Sequence, residues 1–370
     1  MSQYLIRTNG IDDAAARPCE VLYKPDDPRY EESIRKFQGC PTIAITRGGR
    51  IYAGWYSGGT KEPHIDNYNL VVVSDDDGKT FGKSPLLVIP SSRERLVQAL
   101  DIQMWTAPDG RLFIFWVQND VTIPEDETRE NFDPDHCRFG DRRHTEWVIT
   151  CDDPDADEPV FSEPRLLDIG FLRCKPLVTS SGRWINFNYD QTCDRYGYSI
   201  SDDGGKTYTR YYGAKKIKTP FDEGMAYEKR DGSIRMFARC SAGEIAEATS
   251  FDNGITWEKA KLSGIDAADT RLYVARTPSG RVLLVNNDHR TSRTNMTVSL
   301  SDNDGVTWEY RVCIDTRNSL SYPDVDFHDG KIYLIYDRER TGAKEILFTV
   351  FTEDDIINGT IPEPYIISKP

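Results

Sequence analysis

Six residues stand about seven to ten positions ahead of a recurring glycine turn, where a first strand should begin: Gln38 (beside Gly39), Asp101, Lys175, Glu223, Arg271 and Tyr322. All but the glycine are polar or ionisable, and such groups cost stability when buried without partners. A structural ring would repeat one residue type at equivalent positions. Unlike polar groups at those positions predict a binding site instead. Two further offsets extend the set. Asp66 and Arg293 each lie eight residues ahead of a second repeated motif, and Gln118, Arg239 and Asp288 mark the outgoing end of the strand that follows the turn. No phosphate-binding loop, Ser-His-Asp arrangement or paired metal-ligand spacing competes with these residues. The segment Asp135–His144, DHCRFGDRRH, holds two His and one Cys at a spacing that matches no standard zinc pattern. It predicts a solvated loop, and neither a metal nor a cofactor is expected.

The elements that must position this set are given by two repeats. The octet S-x-D/N-x-G-x-T-aromatic occurs as SDDDGKTF at Ser74–Phe81, SDDGGKTY at Ser201–Tyr208, SFDNGITW at Ser250–Trp257 and SDNDGVTW at Ser301–Trp308. Its Asp or Asn can cap backbone N–H groups, its Gly suits a positive φ, and its aromatic can pack back on the turn. With weaker echoes near Cys151 and Glu353 the period is about fifty residues, which implies six units. The second series, a glycine turn followed by an alternating apolar strand, also occurs six times, at Gly49, Gly110, Gly182, Gly232, Gly280 and Gly330. Runs such as RLFIFW and KIYLIY have the two-residue period of strands. About four strands per unit predict an all-β, six-bladed propeller in one domain, residues 1–370. An N-terminal strand pairing with the last blade is the expected closure. The one long interval is a polar insertion at about 119–146, either a lid or a surface loop.

Composition narrows the function classes. The 370 residues carry a formal net charge of −14, from 60 acidic and 46 basic side chains, which opposes nucleic acid as a partner. No apolar run reaches the roughly 18 residues of a membrane span, so no membrane partner is expected. The opening residues lack the features of a secretory leader, so a cytoplasmic location is expected. The eight cysteines are widely spaced without a CxxC pair and are expected to be reduced and mostly packed.

The octets resemble the Asp-box repeats of the sialidase (neuraminidase) superfamily, and they extend over the whole chain. DEGMAYEKRDGSIRMFAR resembles the family segment with a catalytic Glu and a carboxylate-binding Arg, which places Glu223 and Arg239 in those roles. SRTNMTVSLSDNDGVTW resembles the segment supplying another arginine of the family's triad, here Arg293. SYPDVDFHDGKIYLIYD resembles the segment of the nucleophilic tyrosine, here Tyr322. The resemblance also implies Asp66 as acid/base and Asp101 as a substrate-orienting residue. The chain departs from the family at its first arginine: the Phe-Arg-Ile-Pro motif is FQGCP here, with Gly39 where Arg is expected. Gln38, Lys175 and Arg35 are the residues available to take its place.

The resemblance implies an exo-acting, retaining hydrolase of a terminal acidic sugar on an oligosaccharide. Most retaining glycosidases use two carboxyl groups, and a tyrosine nucleophile is the sialidase exception. A neutral phenol, deprotonated by a neighbouring Glu as it attacks, avoids the repulsion a carboxylate would meet at a carbon already bearing one. The missing arginine leaves alternatives open. One is a propeller glycosidase or lyase acting on another glycan, containing uronic acid or rhamnose; the other is a non-catalytic glycan-binding propeller. Lys175 and Arg271 equally suit structural ion pairs, and Asp66 equally suits a solvated loop.

Overall fold

The computed structural model describes residues 16–219 and 221–370, apart from the side chains of 140–143. The first residues of the chain, read above for a leader, lie outside the described residues. Six antiparallel sheets follow one another along the chain, five of four strands and the first of five; in each, four strands run from inner to outer in sequence order. Their inner strands are Phe37–Ile45, Val97–Thr106, Leu177–Val178, Met225–Glu228, Tyr273–Arg276 and Leu320–His328. The inner strand Phe37–Ile45 is buried at every position, as expected of a strand covered on both faces. The outer strand Lys261–Asp266 has no buried position. An extra pair, Phe171–Leu172 with Asn188–Tyr189, lengthens the inner side of blade 3.

The octet turns are built as the sequence predicts. In the second, Asp203 accepts from the Thr207 amide at 2.9 Å and the Thr207 hydroxyl at 2.6 Å, while Ser201 accepts from the Gly205 amide at 2.9 Å. The glycine takes positive φ in all four octets. The closing aromatics reach the preceding blade: Phe81 packs edge-on against Phe348 of blade 6 with centroids 5.3 Å apart, and Trp257 against Phe187 of blade 3 at 5.8 Å. Each octet thus ties one blade to its neighbour.

Closure of the ring differs from the expectation. The N-terminal strand Leu22–Tyr23 pairs with Leu87–Pro90 as a fifth, outermost strand of blade 1. Blade 6 draws all four of its strands from the C-terminal part of the chain, ending in Tyr365–Ser368. Blades 1 and 6 are joined by side chains instead. Asp324 accepts from the Thr42 hydroxyl at 2.7 Å and the Ile43 amide at 3.0 Å, and Asp326 accepts from the Ile45 amide at 2.9 Å. Blade 6 has its full set of C-terminal strands, which leaves no open position there for an N-terminal one.

The polar insertion is an elongated hairpin of blade 2, its strands running Leu112–Thr122 and Arg138–Cys151. Its apolar side chains Ile123, Phe132, Cys137 and Phe139 pack on Ile65, Leu96 and Val121. Asp135 binds Lys61 at 3.1 Å, so the hairpin tip rests on the loop between the second and third strands of blade 1. No helix among the described residues is long and apolar enough to cross a membrane. All eight cysteines are free, five of them buried.

Candidate active site

Three inner strands carry the same irregularity near the axis. In blade 1 the pairing jumps from Gly39 to Thr42, in blade 2 from Leu100 to Gln103, and in blade 6 from Ser321 to Asp324. Each is a bulge in which two residues face a single partner residue on the next strand. The first bulged residue is Cys40, Asp101 or Tyr322, with φ of 56°, 59° and 54°; Glu223, ahead of the blade 4 inner strand, has φ 39°. Left-handed backbone at Cys, Glu and Tyr is strained by on the order of 1–3 kcal/mol, and such strain concentrates at functional sites. These bent positions bring Tyr322, Glu223 and Asp101 into one charged cluster.

The Tyr322 hydroxyl donates to Glu223 Oε1 at 2.6 Å. Arg239 Nη1 donates to Glu223 Oε2 at 3.1 Å and to the Tyr322 hydroxyl at 3.3 Å. Asp269, on the connection between blades 4 and 5, orients two guanidiniums: its carboxylate binds Arg239 Nε at 2.5 Å and its carbonyl accepts from Arg293 Nη2 at 2.9 Å. Arg173 pairs with Asp101 and lies 3.6 Å from Glu223. Four guanidiniums approach the Tyr322 ring, from Arg340 at 4.4 Å, Arg173 at 4.8 Å, Arg271 at 5.2 Å and Arg293 at 6.0 Å.

The electrostatics separate the acids. Burial acts to raise the Glu223 carboxyl, but Arg239, Arg173 and the Tyr322 hydrogen bond overcome it and hold the group below its ordinary value. Burial pushes Tyr322 up, and the Glu223 charge adds to that. Asp101 is pushed up to about 7, because burial prevails over Arg173 and the charges of Glu62 and Glu223 add to it. At rest the pair is therefore a neutral phenol bonded to an ionised carboxylate. Such a pair can move one proton as the phenol attacks.

The other sequence-predicted residues have different surroundings. Arg271 is spent on the backbone: its guanidinium donates to the carbonyls of Arg173, Pro41, Tyr322 and Pro323 at 2.6–3.2 Å, so it fixes the Tyr322 bulge from within. Gln38 bonds Lys344 and Ser368 of blade 6 and accepts from Trp55 Nε1 at 3.2 Å. Lys175 binds the Val325 carbonyl at 2.6 Å and Asp326 at 3.2 Å, lining a separate cavity of about 440 Å³ with Trp105 and Tyr273. Gln118 accepts from the Cys19 amide and Trp116 Nε1 at 2.7 and 3.0 Å. Arg35 serves the Tyr30 carbonyl and Ser368. Asp66 is clamped by Arg93 through two bonds of 2.6 Å, at a cavity of about 740 Å³ that also includes Arg29, Arg35 and His64. Asp288 pairs with Arg311 at 2.5 Å.

Four residues of the cluster stand outside the predicted set: Arg173, Asp269, Arg340 and Glu62. Glu62 lies on the same loop as Asp66 and binds Arg340 Nη1 at 2.5 Å. Its carboxylate, the Cys40 thiol and the Asp101 carboxylate each offer an atom within 4.8 Å of the others. Arg340 and Arg173 already pair with these acids, and burial raises the Cys40 thiol, so the trio is suited to sharing protons rather than to holding a cation.

Residues 49–334 match the family described as BNR repeat-like domain. The chain belongs to the BNR repeat-like family. In fold this BNR repeat-like chain is similar over 92% of its length to the NanB sialidase of Streptococcus pneumoniae (16% identity, TM-score 0.67, 71% of that chain). The intramolecular trans-sialidase of Ruminococcus gnavus aligns with 91% of the BNR repeat-like chain and 98% of its own length, at 16% identity and TM-score 0.65. In sequence it is similar to the anhydrosialidase of Macrobdella decora, 26% identical over 179 residues. That match includes 43% of this chain and spans about a quarter (24%) of the leech protein.

Proposed function

We propose that the protein is an exo-acting, retaining glycoside hydrolase that releases a terminal sialic acid or related 2-keto acid sugar from an oligosaccharide. The observation that carries this reading is the 2.6 Å bond from the Tyr322 hydroxyl to Glu223 inside a cluster of guanidiniums. Tyr322 attacks the anomeric carbon as its proton passes to Glu223, whose ionised form the arginines maintain. Arg239 and Arg293 bind the sugar's carboxylate, and the same positive charge stabilises the phenolate oxygen as it forms.

The proton for the leaving oxygen comes from the Glu62–Asp101 pair rather than from Asp66. Asp66 is bound by Arg93 at the cavity that includes His64, whereas Asp101, pushed up to about 7 and close to Glu62, retains a proton near neutrality. Similarity to an anhydrosialidase and to intramolecular trans-sialidases supports a sialoside as substrate.

The test is turnover of 4-methylumbelliferyl N-acetylneuraminate, with matched uronide and rhamnoside in parallel. Tyr322→Phe is expected to lower kcat at least ~1,000-fold while leaving the melting temperature nearly unchanged. Turnover of a uronide or rhamnoside alone moves the substrate class. A fully active phenylalanine variant removes the nucleophile.

A further inference from the structure

The sequence lacks an arginine at position 39, and the structure shows what fills that space. A Cβ built on Gly39 would lie 2.7 Å from both Cγ and Cδ of Arg340 and 2.8 Å from its Nε. The stem of Arg340 therefore passes where a side chain on the blade 1 strand would begin, and the two cannot coexist without one moving. Gly39 is needed for this close approach, and its φ is not in the left-handed region.

Five guanidiniums surround Tyr322, and their exposure divides them. Arg173 and Arg271 are 3% and 2% exposed and are engaged with Asp101, Glu223 and backbone carbonyls. Arg293 and Arg340 are partly exposed, the Arg340 side chain to 17%, and Arg239 is 8% exposed. Arg340 is also pre-oriented. Asp337, fully buried in the second strand of blade 6, accepts from its Nε at 3.0 Å and from the Cys40 amide at 2.6 Å. Ser321 Oγ accepts from Nη2 at 3.2 Å and Glu62 from Nη1 at 2.5 Å.

Building on the proposed function, we propose that Arg340 supplies the third carboxylate-binding guanidinium, moved from the inner strand of blade 1 to the loop after the second strand of blade 6. With Arg239 and Arg293 it selects sugars that carry a carboxylate on the reacting carbon. A held, planar guanidinium binds a carboxylate through paired hydrogen bonds that a lysine cannot reproduce. The arginine stem in this position requires the glycine at position 39.

The experiment measures binding of 2,3-didehydro-2-deoxy-N-acetylneuraminic acid and of its methyl ester by calorimetry. The proteins are the wild type, Arg340→Ala, Arg340→Lys, Gly39→Ala and the double variant Gly39→Arg/Arg340→Ala, all checked for an unchanged melting transition. Arg340→Ala is expected to weaken the acid about 30–100-fold and the ester less than about threefold. Arg340→Lys and Gly39→Ala fall between, and the double variant recovers most of the lost acid affinity. Equal losses for acid and ester, or undiminished acid binding in Arg340→Ala, overturn the role of Arg340 while leaving the sialoside reading intact. A wild type that binds neither probe overturns both.

Discussion

The rim of the propeller and its axis use the same backbone device for opposite ends. In the octet turns, left-handed residues are Asp77, Asn253 and Asp304 with their following glycines, types that tolerate this region. The octet's capping acid is satisfied within four residues: Asp252 accepts from its own turn's Ser250 hydroxyl and Thr256 amide and hydroxyl at 2.6–2.9 Å, while the left-handed residues beside the glycines reach the neighbouring blade, as Asp77 does to the Tyr333 hydroxyl and Asn253 to Ser181. At the axis the left-handed residues are Cys40, Asp101, Glu223 and Tyr322, and their partners come from other blades. Tyr322 and Glu223 meet across 99 residues of sequence. The rim turn repeats because its capping bonds close within one octet. The axial cluster exists only when the ring is closed, and its members differ because each takes a distinct part.

The largest effect expected on stability comes from removing charge at the axis. Glu223→Ala leaves Arg239 and Arg173 facing one another without their carboxylate, a loss on the order of 3–5 kcal/mol. Chemical denaturation measures it, and a loss below about 1 kcal/mol would contradict the tight coupling drawn here.

The pH dependence follows with the sign set by each shift. Asp101 holds its proton up to about 7 in the native state, against an ordinary carboxyl near 4 in the unfolded chain. The stability it contributes is full below about pH 4 and is lost as pH rises through 7, by on the order of 4 kcal/mol. Glu223 acts oppositely: its depressed value gives stability above about pH 4 that is lost on acidification. Denaturation of wild type and Asp101→Asn from pH 4 to 8 isolates the first term, since the raised carboxyls of Asp222 and Glu146 are common to both proteins. Parallel curves would show that Asp101 is ionised throughout.

The smallest effect belongs to the rim. Asp252→Ala removes one local cap and is expected to lower Tm by about 2–4 °C with kcat/KM within about twofold. A collapse of activity would mean that rim and axis are not separable.

This contrast explains what was legible in the sequence. The octets and glycine turns are local, so their spacing gave six blades in register and brought Tyr322, Glu223, Asp101, Arg239 and Arg293 to one place. The residues that went elsewhere failed for geometric reasons. Side chains alternate along a strand, and a bulge shifts that alternation by one residue without marking the sequence; Gln38 points to blade 6 while Cys40, past the bend, faces Glu62. In blade 3 the count selected Lys175, but Arg173, two residues earlier on the bend between two short strands, is the residue that meets Asp101. Arg340 was within reach of the rule that nominated Arg239, since both follow the second strand of a blade. The closure of blade 6 by its own C-terminal strand had no comparable local signal.

The account turns on Tyr322 forming a bond to the sugar. Incubation with a 2,3-difluorinated sialic acid, which slows release of a glycosyl-enzyme, followed by peptide mass spectrometry, tests this most directly. The predicted result is one sugar attached to the peptide containing Tyr322, absent in Tyr322→Phe. Attachment at another residue, or continued sialoside cleavage with no attachment at all, would contradict it.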